Sequence, residues 1–205
     1  MKLKYNEAPF PHIIVEDWYD EQELSAIWRE IDFLSGPNKL KDADSTGTAR
    51  DFGGAALKNN KGVWLDQVWA FDRSISGILT ADRKLFHPKF TSKAMKHHWI
   101  FKLLKFCNLD TTLLSYYEDS MEYKPHEDMA YLTAITHHFK EPLSFDGGDL
   151  HFPEHGDYKV PLQNNRLIVF PSMILHSVDP IKMHKDIEGE NMGRYTITQF
   201  LSLKA

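Results

Sequence analysis

Hydrophobic residues change their spacing part-way along the chain. In the first half they recur at intervals of three and four. Leu24, Ile27, Trp28 and Ile31 follow Asp20-Glu21-Gln22-Glu23, a capping-box pattern whose side chains satisfy the free N–H groups of a helix start. This predicts an amphipathic helix with one buried face. The same period predicts helices over Ile75 to Phe86 and over Ser92 to Phe106, the second with Met95, Trp99 and Leu103 on one face. Between these helices and the first lies Gly36 to Lys61, polar and glycine-containing, with Asp42 to Thr48 reading as a loop. Two readings of it stay open: a plain surface loop, or a lid, poorly ordered alone, that closes over a bound substrate.

From Thr111 onward the apolar residues fall into short runs separated by turn residues. Thr112 to Tyr117, Tyr131 to His138, Asp149 to Phe152, Leu167 to Phe170, Leu175 to Val178 and Tyr195 to Leu201 are the expected strands. Many short strands with regular turns imply a sandwich or barrel. The chain is thus expected to be α+β, helices first and strands second. It shows no internal repeat, low-complexity tract or linker, so one domain over residues 1–205 is expected.

Composition narrows the class. With 205 residues, 42% of them hydrophobic, the chain is long enough to bury a sizeable core. A net charge of −5 gives no basic patch, which argues against nucleic acid as a partner. The single cysteine, Cys107, has no intrachain partner for a disulfide. The first residues, Met1-Lys-Leu-Lys-Tyr-Asn-Glu7, lack the apolar core of a signal peptide, and no apolar run approaches membrane-spanning length. A cytoplasmic location without a membrane partner is the expectation.

Chemistry enters at Tyr123-Lys-Pro-His126-Glu-Asp128. In a strand, side chains two residues apart share a face, so His126 and Asp128 would stand side by side. They are two of the three ligands of a 2-His-1-carboxylate triad, which leaves positions open on Fe(II). His176, after the apolar run Leu167 to Phe170 and the Pro171-Ser172 turn, fits as the third. Eighteen residues later Arg194-Tyr-Thr196-Ile-Thr-Gln-Phe-Leu201 reads as a strand with a cation at its start. Taken singly, each of these has a plain alternative: His-x-Asp arises by chance, a histidine after a strand is often structural, and an arginine at a strand end is often on the surface.

Together, these residues make the chain resemble the Fe(II)- and 2-oxoglutarate-dependent oxygenases, in particular their prolyl 4-hydroxylase-like branch. The resemblance runs from Pro9-Phe-Pro-His-Ile-Ile-Val-Glu-Asp-Trp-Tyr19 to Phe200. It takes in Gly147-Gly-Asp-Leu-His-Phe152, similar to the family's Gly-Gly-Glu-Leu strand start, and Asn165-Arg-Leu-Ile-Val-Phe-Pro-Ser172 before the last histidine. It implies a double-stranded β-helix, a cupin-like jelly-roll barrel buttressed by the N-terminal helices. It implies Fe(II) on His126, Asp128 and His176, and 2-oxoglutarate with its distal carboxylate on Arg194 and Thr196, with ascorbate as an accessory cofactor. Tyr117 matches a tyrosine lining the cosubstrate pocket, with Tyr116 the alternative if the register slips by one. His137 falls where prolyl hydroxylases often carry a tyrosine that touches 2-oxoglutarate, and Thr133 is another candidate for the lining; His97, His98 and His138 have no motif behind them.

Two departures stand out. Pro180 to Gly193 separates His176 from Arg194 by more than the family's usual connection, and its His184 or Lys185 is an alternative anion-binding group. No second arginine follows Arg194 closely, which argues against demethylation of alkylated nucleobases. The implied activity is an O2-consuming dioxygenase that hydroxylates a C–H bond, first of all a prolyl residue in a peptide or protein, with release of succinate and CO2. A free amino acid or other small metabolite as substrate, or a non-catalytic jelly-roll binding module, are the alternatives.

Overall fold

A computed structural model describes residues 2–185 and 189–204. α1 (Glu21–Leu34) begins as the pattern predicts. The Asp20 side chain accepts from the Glu23 N–H, the Glu23 side chain accepts from the Asp20 N–H, and Ile27, Glu30, Ile31 and Leu34 are buried. After it come α2 (Ala43–Thr46), α3 (Leu65–Val68), α4 (Gly77–Asp82) and α5 (Pro88–His97).

Two expected helices are broken. Of Ile75 to Phe86, only α4 is α-helical; 3₁₀ turns at Arg73–Ile75 and Arg83–Phe86 flank it, and the Ser76 hydroxyl caps its start by accepting from the Leu79 N–H. In place of Ser92 to Phe106 there are α5 and a 3₁₀ stretch, Trp99–Lys105, parted at an extended His98 whose ring accepts from the Ile100 N–H. The reason is local: a side-chain cap competes with helix continuation. It turns the apolar face. Phe90, Ala94, Phe101 and Leu104 are buried, while Trp99, expected in the stripe with Met95 and Leu103, is 65% exposed.

In chain order the strands are β1 (Lys2–Asn6), β2 (His12–Glu16), β3 (Lys61–Trp64), β4 (Leu109–Tyr117), β5 (Tyr123–His126), β6 (Leu132–His138), β7 (Phe145–Gly147), β8 (Leu150–Phe152), β9 (Tyr158–Val160), β10 (Arg166–Pro171), β11 (His176–Val178), β12 (Ile181–Met183) and β13 (Arg194–Ser202). They form a seven-stranded sheet in the order β1-β2-β10-β6-β13-β4-β3, a four-stranded sheet β5-β11-β8-β9 and a ribbon of β12 with β7. The two larger sheets share a core of Phe10, Ile135, Leu150, Phe152, Val160, Ile168 and Phe170. This is the jelly-roll arrangement, and among the described residues the strands do not join into a closed ring.

Alternation on the central strands positions the site. On β13, Tyr195, Ile197 and Leu201 pack with Ile27 and Ile31 of α1, whereas Arg194, Thr196, Thr198 and Phe200 line a cavity on the opposite face. β4 behaves alike. Leu114 and Tyr116 join the helix-backed core, and Leu113, Ser115 and Tyr117 face the cavity. Its register of Arg194 opposite Tyr117 and Thr196 opposite Ser115 decides between the two tyrosines: Tyr117 is at the cavity and Tyr116 is not.

Candidate active site

The cavity lies between the sheets and takes its side chains from both. β5 ends at His126 and β11 begins at His176, and the two are paired across the ladder with ring centroids 4.3 Å apart. Asp128 lies just beyond β5, not on it. Its backbone N–H donates to the Ser172 carbonyl at 3.0 Å, and its Oδ2 accepts from the Thr133 hydroxyl at 2.7 Å, itself 2.8 Å from the Ser172 hydroxyl. The turn that delivers His176 therefore also seats Asp128. One ligand atom from each of His126, Asp128 and His176 lies within 4.8 Å of the others, an arrangement that could hold a metal ion.

Hydrogen bonding selects the tautomer of the rings. His126 Nδ1 lies 2.9 Å from the Lys124 carbonyl, and His176 Nδ1 lies 2.9 Å from the Ile174 carbonyl. A carbonyl only accepts, so in the neutral ring the proton sits on Nδ1 and Nε2 carries a bare lone pair. Both Nε2 atoms face Asp128, at 3.7 Å and 3.4 Å from its oxygens. Burial, with His176 beside it, pushes His126 down to about 4, so this ring is neutral at ordinary pH. With both rings in that neutral form, the lone pairs of two imidazoles and a carboxylate converge, which is a cation's environment.

The other end of the cavity is cationic. Arg194 is fully buried. Its Nη2 donates to His137 Nδ1 at 3.0 Å, and its guanidinium lies 5.0 Å from the Tyr117 ring centroid. Because a guanidinium only donates, His137 is held as the neutral Nε2–H form; burial and the Arg194 charge push its basicity well down. Arg194 Nε and Nη1 and His137 Nε2 have no partner among the described residues. Buried donors left in this state fit an anion supplied from outside. Gly148, at φ +76°, leaves the space: a Cβ there would stand 2.8 Å from Arg194 Cδ. The cavity itself measures about 40 Å³, a narrow space between the two sheets.

Solved structures with this arrangement of sheets are known. Over 95% of this chain and 93% of that one, the structure superposes on a prolyl-4-hydroxylase of Pseudomonas putida with TM-score 0.60 and 14% identity. A prolyl hydroxylase of Trichoplax adhaerens, solved with a hypoxia inducible factor peptide fragment, matches with TM-score 0.58 and 14% identity over 93% of this chain and 83% of that one. The fold is that of the Fe(II)/2-oxoglutarate oxygenases. A non-heme α-ketoglutarate-dependent epimerase from nogalamycin biosynthesis matches with TM-score 0.52 and 14% identity, over 92% of this chain and 76% of that one. No family model and no curated protein sequence matches the chain.

Within this oxygenase fold, the residues expected from the sequence sort by distance to the cavity. His126, Asp128, His176, Arg194, Thr196 and Tyr117 all line it. Burial raises the Tyr117 hydroxyl to about 12 although Arg194 pulls the other way, so it stays protonated. His137 is not on the wall but against Arg194, and Thr133 is under Asp128. His184 pairs with Asp146 at 3.2 Å and Lys185 is exposed; neither lines the cavity. The middle of the long connection, residues 186–188 of the expected 181–193 loop, lies outside the described residues. Arg166 bonds to the Pro161 carbonyl and Glu16, away from the site.

Lys58 was not expected. It lines the cavity and is only 6% exposed; burial lowers its ammonium group to about 8 against the opposing pull of Asp128. A lysine in a polar loop reads as surface, and only its contact with β5 reveals otherwise. The loop that carries it is also more built than expected. Ala43 and Thr46 of α2 are buried, the Trp64 indole donates to the Thr46 carbonyl at 2.9 Å, and the longest run of exposed residues in the loop is 50–55, around Phe52.

Proposed function

We propose that this protein is an Fe(II)- and 2-oxoglutarate-dependent dioxygenase that hydroxylates a C–H bond, with a prolyl residue of a peptide or protein as substrate. One observation carries the reading: in a single cavity, two bare imidazole nitrogens and a carboxylate converge at one end, and a buried guanidinium with unused N–H groups stands at the other. His126, Asp128 and His176 would hold Fe(II) on one face and leave adjacent positions open. Arg194, backed by His137 and flanked by the Thr196 and Tyr117 hydroxyls, would hold the distal carboxylate of 2-oxoglutarate. When bound, the metal and cosubstrate supply the oxidation: O2 is consumed, 2-oxoglutarate becomes succinate and CO2, and a substrate C–H becomes C–OH. The protein's own part is to keep the two rings in their Nδ1–H form, to seat Asp128 through Thr133 and Ser172, and to exclude water from Arg194.

The prolyl substrate is supported by the two prolyl hydroxylases of the same fold, one of them solved with a peptide. An epimerase of that fold shows how far substrates diverge on it. A free amino acid or small metabolite is the second reading, favoured by Lys58. Among the described residues no helix is long and apolar enough to cross a membrane, and a reducing compartment such as the cytoplasm suits both a ferrous ion and the free Cys107. The test is succinate formation with Fe(II), ascorbate and 2-oxoglutarate, with proline-containing peptides, free amino acids and nucleic acid added separately. Stimulation by the peptides is expected; absence of succinate under every addition would overturn the enzyme reading.

A further inference from the structure

Lys58 is the charged group of the cavity that iron and cosubstrate leave without a task. Its backbone is stitched to the ligand-bearing strand. Residue 58 bridges Tyr123, the Lys124 N–H donates to the Leu57 carbonyl at 2.8 Å, and the Asn59 N–H donates to the Glu122 carbonyl at 3.4 Å. Its Nζ lies 5.5 Å from the centroid of the Tyr123 ring, which is itself stacked on His126 at 3.5 Å. The ammonium group is therefore held beside the metal ligands, and Arg194 contacts a different pair, Tyr117 and His137.

Among the described residues that ammonium group makes no ion pair and no hydrogen bond. The side chain as a whole is only 6% exposed, yet Nζ is not among the fully buried atoms that lack a partner, so a further anion can reach it from the open side of the cavity. The charge balance says which component brings it. Lys58, Arg194 and Asp128 are the charged side chains on the wall. Fe(II) and the 2-oxoglutarate dianion cancel, Asp128 offsets one cation, and one positive charge is left over. Arg194 is engaged by the cosubstrate, so the surplus belongs to Lys58.

We propose that Lys58 is a specificity-determining residue whose ammonium group binds a carboxylate of the substrate next to the carbon that is oxidised. This rests on the oxygenase reading of the same cavity and deepens it. The carboxylate has two sources with one chemistry: the α-carboxylate of a free amino acid, or an acidic side chain beside a prolyl residue in a peptide.

Equilibrium binding without oxygen separates these. Protein loaded with Fe(II) and 2-oxoglutarate under nitrogen is titrated calorimetrically with L-proline and L-prolinamide, and with end-blocked Ala-Pro-Asp-Ala and Ala-Pro-Asn-Ala. The acid of at least one pair should bind about tenfold or more tighter than its amide, as a charge-assisted hydrogen bond gives. Which pair shows it identifies the source. Lys58→Met should bring the ratio close to one, and Lys58→Arg, which keeps the charge, should retain it. Unchanged melting temperatures and Fe(II) affinities identify variants that fold. A ratio near one in the natural protein for both pairs, or a ratio that survives Lys58→Met, overturns the proposal. So does a Lys58→Met protein that loses affinity for 2-oxoglutarate and keeps its acid preference, which would assign Lys58 to the cosubstrate. Failure of the natural protein to bind Fe(II) and 2-oxoglutarate at the loading step is a separate result: it removes the oxygenase reading, and this proposal with it.

Discussion

Glu30 and Arg194 are both ionisable side chains withdrawn from water, yet their surroundings are opposites. The Glu30 carboxylate accepts from the Trp69 indole at 2.7 Å, from the Ser76 hydroxyl at 2.7 Å and from the Ile78 N–H at 2.8 Å. It ties α1 to the segment entering α4 and asks nothing of the solvent. Arg194 has His137 as its one hydrogen-bonded side chain, and two of its nitrogens are left without an acceptor among the described residues. A buried polar group that the fold itself completes is architecture; a buried guanidinium left incomplete on the wall of a cavity that also carries a metal-type triad is a place for an anion.

The comparison breaks first at the metal end. Asp128→Ala should abolish succinate formation and the rise in melting temperature that Fe(II) gives the natural protein, while circular dichroism stays native. Natural turnover in that variant would show that the triad is merely structural. At the cosubstrate end, Arg194→Ala should weaken 2-oxoglutarate binding by roughly 2–5 kcal/mol and leave Fe(II) affinity nearly untouched. If Lys185→Ala weakens binding and Arg194→Ala does not, the anion site is on the long connection instead.

Glu30→Ala tests the other side. It strands three donors and should lower unfolding free energy by roughly 3 kcal/mol, with Fe(II) affinity as in the natural protein. A large loss of metal binding there would mean that the two clusters are not independent.

The smallest effect is on acid stability. His138, fully buried beside Tyr19 and Trp28, is held down to about 3 by burial. Its folded value lies below the unfolded one, so its contribution is fully present above pH 6.5 and is lost as pH falls toward 3. From pH 6.5 down to about 5.5 this amounts to about 1 kcal/mol. Chemical denaturation should show His138→Phe with a flatter acid limb; identical slopes would assign the acid sensitivity elsewhere.

Local pattern was enough wherever the physics is local. The capping box places the start of α1, and alternation along β13 separates Arg194 and Thr196 from Tyr195 and Ile197. The spacing of His126 and Asp128, with His176 opening a strand, was likewise legible, because two ligands lie within one short segment. Short strands such as β7, β9 and β12, three residues each, were not. Three residues carry too little alternation to stand out. Nor was the break at His98, where a single side-chain cap outweighs a helical period.

What the sequence determined by itself is the inventory of chemistry: two imidazoles and an arginine on strands of an α+β chain, with a carboxylate two residues past one of the imidazoles. The tertiary structure decided their states and their company. That Nε2 is the bare nitrogen of both rings depends on carbonyls brought within reach by backbone turns. The position of Asp128 depends on Thr133 and Ser172, 39 residues apart in sequence. Lys58 becomes a cavity residue only because a bridge to Tyr123 holds its loop against β5. Periodicity reports which face a residue takes within its own element; the partners it meets there come from other elements, and only packing chooses them.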